Sequence, residues 1–153
     1  MLTGLSQEPY APPGAALESE DARRVPLYTV NQIFAGAILG SPFAGSLFMA
    51  RNYRATGRPD AARNALLLGS IATAALLSVG YVLPRVGSLR SLPLLASVVT
   101  RVIAQSEQGQ QIEQQLAEGR RQRSWWQALG LSLGIALALI LALFGLALLT
   151  PDR

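Results

Sequence analysis

Long apolar runs separated by short polar turns organise this chain, and the first of them covers Val30 to Ala50 without a charged side chain. At about 1.5 Å per residue its 21 residues reach across the roughly 30 Å hydrocarbon core of a bilayer. Gly36, Gly40 and Gly45 lie in this run beside Ala35, Ala37, Ser41, Ala44 and Ser46, and Pro42 falls near its middle. Gly36 and Gly40 form a G-x-x-x-G step that lets helix backbones approach closely, either against other helices of the same chain or across a homodimer seam. Pro42 removes one helical hydrogen bond and predicts a kink. The loop from Arg51 to Arg63, with Gly57 and the Pro59-Asp60 turn signal, then predicts an antiparallel hairpin into a second span, about 61–83, stopped at Pro84. A third span, about 125–149, opens on Ser124-Trp125-Trp126-Gln127, where Ser124 and Gln127 have capping-box spacing, and ends at Thr150-Pro151.

Between the second and third runs the pattern changes. Leu94, Leu95, Val98, Val99, Val102 and Ile103 share one helical stripe, which predicts an amphipathic helix within about 91–118. The uncharged stretch between Arg90 and Arg101 is too short to span, so this helix is expected flat in the interface or across the cytoplasmic ends of the others. The glutamine-rich stretch from Gln105 to Gln115 reads as a polar helix surface, with a protein-docking surface as the alternative. Gly109 marks a break or a close contact, since glycine inside a helix costs about 1 kcal/mol relative to alanine. Residues 1–27, with Pro9, Pro12, Pro13 and Pro26 and the acids Glu8, Glu18, Glu20 and Asp21, predict a disordered polar tail before a membrane domain at 28–153. No cleaved signal is expected, because the first long apolar run begins only near Val30. The expected fold class is an all-α membrane protein with three transmembrane helices and an interfacial amphipathic helix between the second and third.

Composition supports a bilayer setting: 50% of residues are hydrophobic and only 14% charged, against about 25% in soluble domains. The net charge of +4 does not point to nucleic acid, because all 13 basic residues are arginines and most sit at the ends of apolar runs. Arg120, Arg121 and Arg123 before Trp125 and Trp126 form an expected interfacial anchor on the lipid bilayer. With three spans, the tail and the second loop share Arg23, Arg24, Arg85, Arg90, Arg101, Arg120, Arg121 and Arg123, and the opposite side holds Arg51, Arg54, Arg58, Arg63 and Arg153. That balance places the amino terminus and the second loop in the cytoplasm.

The chain has no Lys, Cys or His, which removes Schiff-base chemistry, thiol nucleophiles, disulfides and the common zinc ligands; no cofactor or metal is expected. None of the three spans contains an ionisable group after Arg63. Asn31, Gln32 and Asn64 read as caps or interfacial hydrogen-bonding groups. Asn52-Tyr53-Arg54 reads as a headgroup anchor, with a bound phosphate or partner carboxylate as the alternative. Glu113 and Glu118, five apart, belong to a solvated helix face.

The segment Gln7-Glu8-Pro9-Tyr10-Ala11-Pro12-Pro13, followed by Ala16-Leu17, resembles the N-P-Y-x-x-P opening of small bacterial inner-membrane proteins. It covers about ten residues, with Glu8 where that pattern usually has Asn. The resemblance implies a bacterial inner membrane and a cytoplasmic tail, and no activity. The expected function is a non-enzymatic membrane interaction protein: an accessory subunit, assembly factor or immunity-type protein. Its contact surfaces would be the small-residue face of the first helix (Gly36, Gly40, Ser41, Pro42, Gly45) and the amphipathic segment, toward a membrane protein partner or a second copy. A small oligomeric transporter or channel is the alternative.

Overall fold

The first apolar run does not form one helix. A computed structural model, which describes residues 25–82 and 91–149, with side chains as far as Gly80 in the first stretch, divides that run into α1 (Val30–Gly40) and α2 (Pro42–Ala55). Ser41 stands between them at φ 107° and ψ 165°, a backbone conformation nearly confined to glycine and costing about 1–3 kcal/mol in other residues. Pro42 accounts for the choice. A proline disfavours the helical conformation in the residue before it, and at the first position of a helix its missing N–H costs nothing.

Gly40-Ser41-Pro42 is therefore a turn rather than a kink, and α2 runs back antiparallel along α1. A Cβ on Gly45 would meet that of Ala37 at 2.9 Å, and one on Gly36 would run into the Phe48 ring. Further from the turn, the Tyr28 and Phe48 rings stack with centroids 4.3 Å apart, and the Tyr28 N–H donates to Asn52 Oδ1 at 2.9 Å. The expected transmembrane helix over 30–50 is thus corrected to a helical hairpin. The 11 residues of α1 rise only about 16 Å, half the thickness of a bilayer core.

Gly57, at φ 72°, turns the chain into α3 (Pro59–Val82), which packs antiparallel along α2. The Phe43 N–H donates to Thr73 Oγ1 at 3.0 Å, and Gly69 lies so close to Ser46 that no larger residue fits. The hairpin expected around Arg51–Arg63 is present, with α2 as its first arm.

After the next described residue, Ser91, the chain forms α4 (Leu92–Ala104), a π-helical turn over Gln105–Gly109, and α5 (Gln110–Ala117), in direct succession. This segment runs alongside the α1–α2 hairpin, not flat across helix ends. Its inner face is Ser97, Thr100, Ala104 and Gln108, and Thr100 Cγ2 lies 2.9 Å from where a Gly45 Cβ would be. The close-packed glycine surface admits only small residues, so the stripe of Leu94, Leu95, Val98, Val99, Val102 and Ile103 faces outward, each 44–61% exposed. Gly109 does not break the helix; it sits within the π turn against the Gln105 side chain.

The last helix, α6 (Trp125–Leu149), coincides with the third apolar run and packs on α1, where Gly40 meets the Ser132 carbonyl. Ser124 and Gln127 exchange no hydrogen bond. The capping box forms instead at the start of α1, where Thr29 Oγ1 accepts from the Gln32 N–H and Gln32 Oε1 accepts from the Thr29 N–H. Among the described residues two helices are long and apolar enough to cross a membrane, α3 over Pro59–Gly80 and α6 over Trp125–Leu149. The readings placed on residues 7–17, on Pro84 and on Thr150-Pro151 lie outside the described residues.

One end of the bundle gathers the chain connections. Leu27 pairs with the segment before α6 through Leu27 N–H to Arg121 O (3.1 Å) and Arg123 N–H to Leu27 O (2.8 Å), and Arg120 Nη2 reaches the Ala55 carbonyl at 3.0 Å. The Arg51–Arg63 turn thus lies at the same end as the start of α1, and its expected position on the opposite side is corrected. Replacing Ser41 by glycine should relieve the backbone strain and raise stability by about 1 kcal/mol in thermal unfolding in detergent, while Ser41→Val should lower it. In a continuous kinked helix the glycine would instead be the destabilising change.

Candidate functional site

Two features stand apart from ordinary helix packing: a buried polar cluster at the connected end, and an apolar groove along the bundle. The cluster grows from the extended residues Val25–Thr29, whose backbone needs partners that no helix or sheet supplies. Asn52 on α2 gives Tyr28 two: its Oδ1 accepts from the Tyr28 N–H at 2.9 Å and its Nδ2 donates to the Tyr28 carbonyl at 2.8 Å. The same Nδ2 approaches Gln108 Oε1 at 3.3 Å, and Gln108 Nε2 donates to the Met49 carbonyl at 3.1 Å, tying the π turn to α2. Gln32 Nε2 donates to the Arg123 carbonyl at 2.7 Å, which fixes the entry of α6 against α1.

Arginines complete the cluster. Arg120 donates through Nε to the Val25 carbonyl (3.0 Å), through Nη1 to Gln115 Oε1 (2.7 Å) and through Nη2 to the Ala55 carbonyl (3.0 Å), joining three segments with one guanidinium. Burial pulls its pKa below the ordinary arginine value. Arg51 Nη1 donates to the Tyr28 hydroxyl at 3.0 Å, and the Arg123 guanidinium lies over the Tyr28 ring at 5.6 Å. Amides and guanidiniums are spent here on backbone carbonyls and on one another, an arrangement suited to locking chain segments. Among the described residues no group of three or more Asp, Glu, His or Cys side chains converges in a way that could hold a metal.

The groove lies between α2, α3 and α4, with a volume of about 320 Å³. Pro42, Ser46 and Met49 line it from α2, Leu68 and Gly69 from α3, and Val99 and Ile103 from α4. It exists because α4 and α3 both lean on α2 and barely touch each other.

The residues singled out by sequence divide accordingly. Gly36, Gly40 and Gly45 come together inside the hairpin and against α4 and α6, so their close-approach surfaces are occupied within the chain. Trp125 and Trp126 are exposed at the arginine-rich end, Trp126 at 83%. Arg121 is exposed, whereas Arg120 and Arg123 are half-buried, Arg120 hydrogen-bonded inward and Arg123 lying over the Tyr28 ring. Gln32 caps α1 as expected but is fully buried, and Asn52 and Gln108 (3% exposed), expected in a headgroup anchor and on a polar helix surface, are buried instead. The spacing of Thr29 and Gln32 matches a capping box and is readable from sequence; Gln108 carries no such mark beyond its glycine neighbour.

No family model, curated protein or solved structure matches the chain. Asn52→Ala should cost about 2–4 kcal/mol in unfolding measurements, since it strands both backbone groups of Tyr28. Combined with Gln108→Ala, the loss should fall short of the sum of the two, the signature of one shared network.

Proposed function

We propose that this chain is a non-enzymatic integral membrane protein of a bacterial inner membrane that works by contact with a partner, as an accessory subunit, assembly factor or immunity-type protein. The observation that carries the reading is an inside-out distribution of side chains. Around a compact cluster of Leu27, Tyr28, Ile33, Phe48, Met49 and Tyr53 at the connected end, the helices meet through Gly36, Ala37, Ala44, Ala50, Ala62, Ala104, Ala128, Ser97 and Ser132, while Leu67, Leu68, Ile71, Leu94, Leu95, Leu137, Ile140, Leu141 and Phe144 face outward. Water would penalise so large an apolar surface; a bilayer favours it and rewards close small-residue packing inside.

Orientation is argued from the gathered ends. Arg51, Arg54, Arg58, Arg63, Arg120, Arg121 and Arg123 belong to the end where the turns meet, and Arg101 reaches over the Phe34 ring, one turn inside it. In chain order, Arg85, Arg90 and Arg153 come after the opposite ends of α3 and α6. The positive-inside rule then makes the arginine-rich end cytoplasmic, with α3 and α6 crossing outward, the α4–α5 segment returning between them, and the α1–α2 hairpin entering and leaving on that side. A small oligomeric channel is the second reading, favoured by the helix break at Ser41, since broken helices can present backbone groups to a solute. In this chain those groups are engaged: the Ser41 N–H donates to the Ala37 carbonyl and the Phe43 N–H to Thr73.

Because the chain has no cysteine, single substitutions report topology without background. In intact cells an impermeant thiol reagent should label Asp152→Cys and leave Gly57→Cys and Gln110→Cys unlabelled; labelling at Gly57 alone of the latter pair would restore a continuous span over 30–50. Purification in mild detergent at native expression should recover a stoichiometric membrane partner, and a lone monodisperse monomer would contradict the contact role.

A further inference from the structure

The groove between α2, α3 and α4 is open toward the surface that the membrane reading assigns to lipid, and its charge and dimensions suit one kind of occupant. Its α2 wall, Pro42, Ser46 and Met49, continues along the same helical face to Tyr53, and the Arg58 guanidinium lies over the Tyr53 ring at 4.9 Å. A cation thus stands where the apolar wall reaches the polar end of the bundle. From Pro42 to Met49 the wall is about 10 Å long at 1.5 Å per residue. A volume of about 320 Å³ is that of a small ligand site, and a trough of this length suits a single extended hydrocarbon chain.

We propose that this groove is a binding site for one acyl chain of a membrane phospholipid, with the Arg58 guanidinium meeting its phosphate. The lining explains the selectivity for a flexible chain over a protein helix. Pro42, Ala65, Gly69, Ala72 and Ala96 form a narrow trough, and Leu68, Val99 and Ile103 rise as its rims. Gly69 fixes the floor: its contact with Ser46 leaves no room for a side chain there. Cation and ring also divide their tasks. Tyr53 is buried and places its ring under the Arg58 guanidinium, while Arg58 itself is exposed and, among the described residues, forms no ion pair, which leaves its donors for a phosphate. One turn beyond Ile103 the exposed Glu107 supplies a carboxylate on the α4 side, so a headgroup with an amine beside its phosphate should bind better than a purely anionic one.

This inference rests on the membrane reading, and the test separates the two. Resistance of the native chain to alkaline carbonate extraction from membranes addresses the membrane reading alone. For the groove, the full-length chain in detergent is titrated with a phosphoethanolamine phospholipid, a phosphoglycerol phospholipid and an uncharged diacylglycerol, and bound lipid is counted by native mass spectrometry. One phospholipid should be retained saturably, the phosphoethanolamine form most strongly. Ala72→Leu combined with Ala96→Leu, which fills the trough, should weaken retention by about tenfold. Arg58→Gln should weaken retention of both phospholipids but not of diacylglycerol, and Arg58→Lys should restore part of it. A lipid with a photoreactive group in its acyl chain tests the unaltered protein: adducts should concentrate at Met49, Leu68 and Val99. Adducts spread equally onto Leu137 and Leu141 of α6, or undiminished retention in the filled variant with helix content intact, would overturn the proposal.

Discussion

The fold depends on the closure of α1 against α2 at Gly40-Ser41-Pro42. A serine held at φ 107° is an unfavourable backbone state, and it persists only because the contacts around it over-determine it. Pro42 steers the preceding residue out of the helix. Gly36 and Gly45 let the two arms approach until the Phe48 ring and Ala37 fill the space their side chains would take, and Tyr28 stacks on Phe48 at the open end. With the turn made, both ends of the hairpin lie together, α3 must start from the same end, and the only surface left to α4 and α6 is one of glycine, alanine and serine.

The polar cluster is the second consequence of that geometry. Bringing the start of α1 beside the end of α2 leaves the extended segment Val25–Thr29 outside any helix or sheet; the segment before α6 pairs with Leu27, and Asn52, Gln32 and Arg120 serve Tyr28, Thr29 and Val25. Unpaired amides would be costly to bury, but these are paired almost throughout, so the cluster fixes register between segments far apart in sequence. It also explains why polar residues occupy the interior while leucines occupy the surface. In a bilayer the leucines lose nothing by facing outward, and specificity has to come from close packing and directed hydrogen bonds.

Much of this is legible in the residues. The Ala/Leu run after Trp125-Trp126 is unambiguous, and α6 matches it from end to end; the run closing near Pro84 likewise gives α3 within two residues of its observed start. The hairpin is not, because length, hydropathy and the absence of charge are the same for one 21-residue span and for two half-length helices, and a proline reads as a kink or as a first helical residue depending on the residue before it. Only the tertiary fit of Gly36 to Phe48 and Gly45 to Ala37 separates the two, and no local pattern encodes that pairing. The place of the arginine loop is hidden for the same reason: with a continuous helix before it, it would lie at the opposite end of the bundle from the start of α1, and with a hairpin before it, it lies at the same end. The amphipathic stripe at 94–103 has the right period and faces outward, but period alone does not say whether an apolar face meets protein or lipid, nor that the helix lies along the bundle.

The hairpin therefore carries the topology, the position of the arginine loop and the setting of the groove. Its direct test is a distance. With spin labels on cysteines replacing Asn31 and Arg54 in the otherwise cysteine-free chain, reconstituted in bilayer nanodiscs, a folded hairpin predicts a separation below about 25 Å. A single continuous helix through Ser41 would hold the two sites roughly 35 Å apart at 1.5 Å per residue, and a distance distribution centred there would contradict the account.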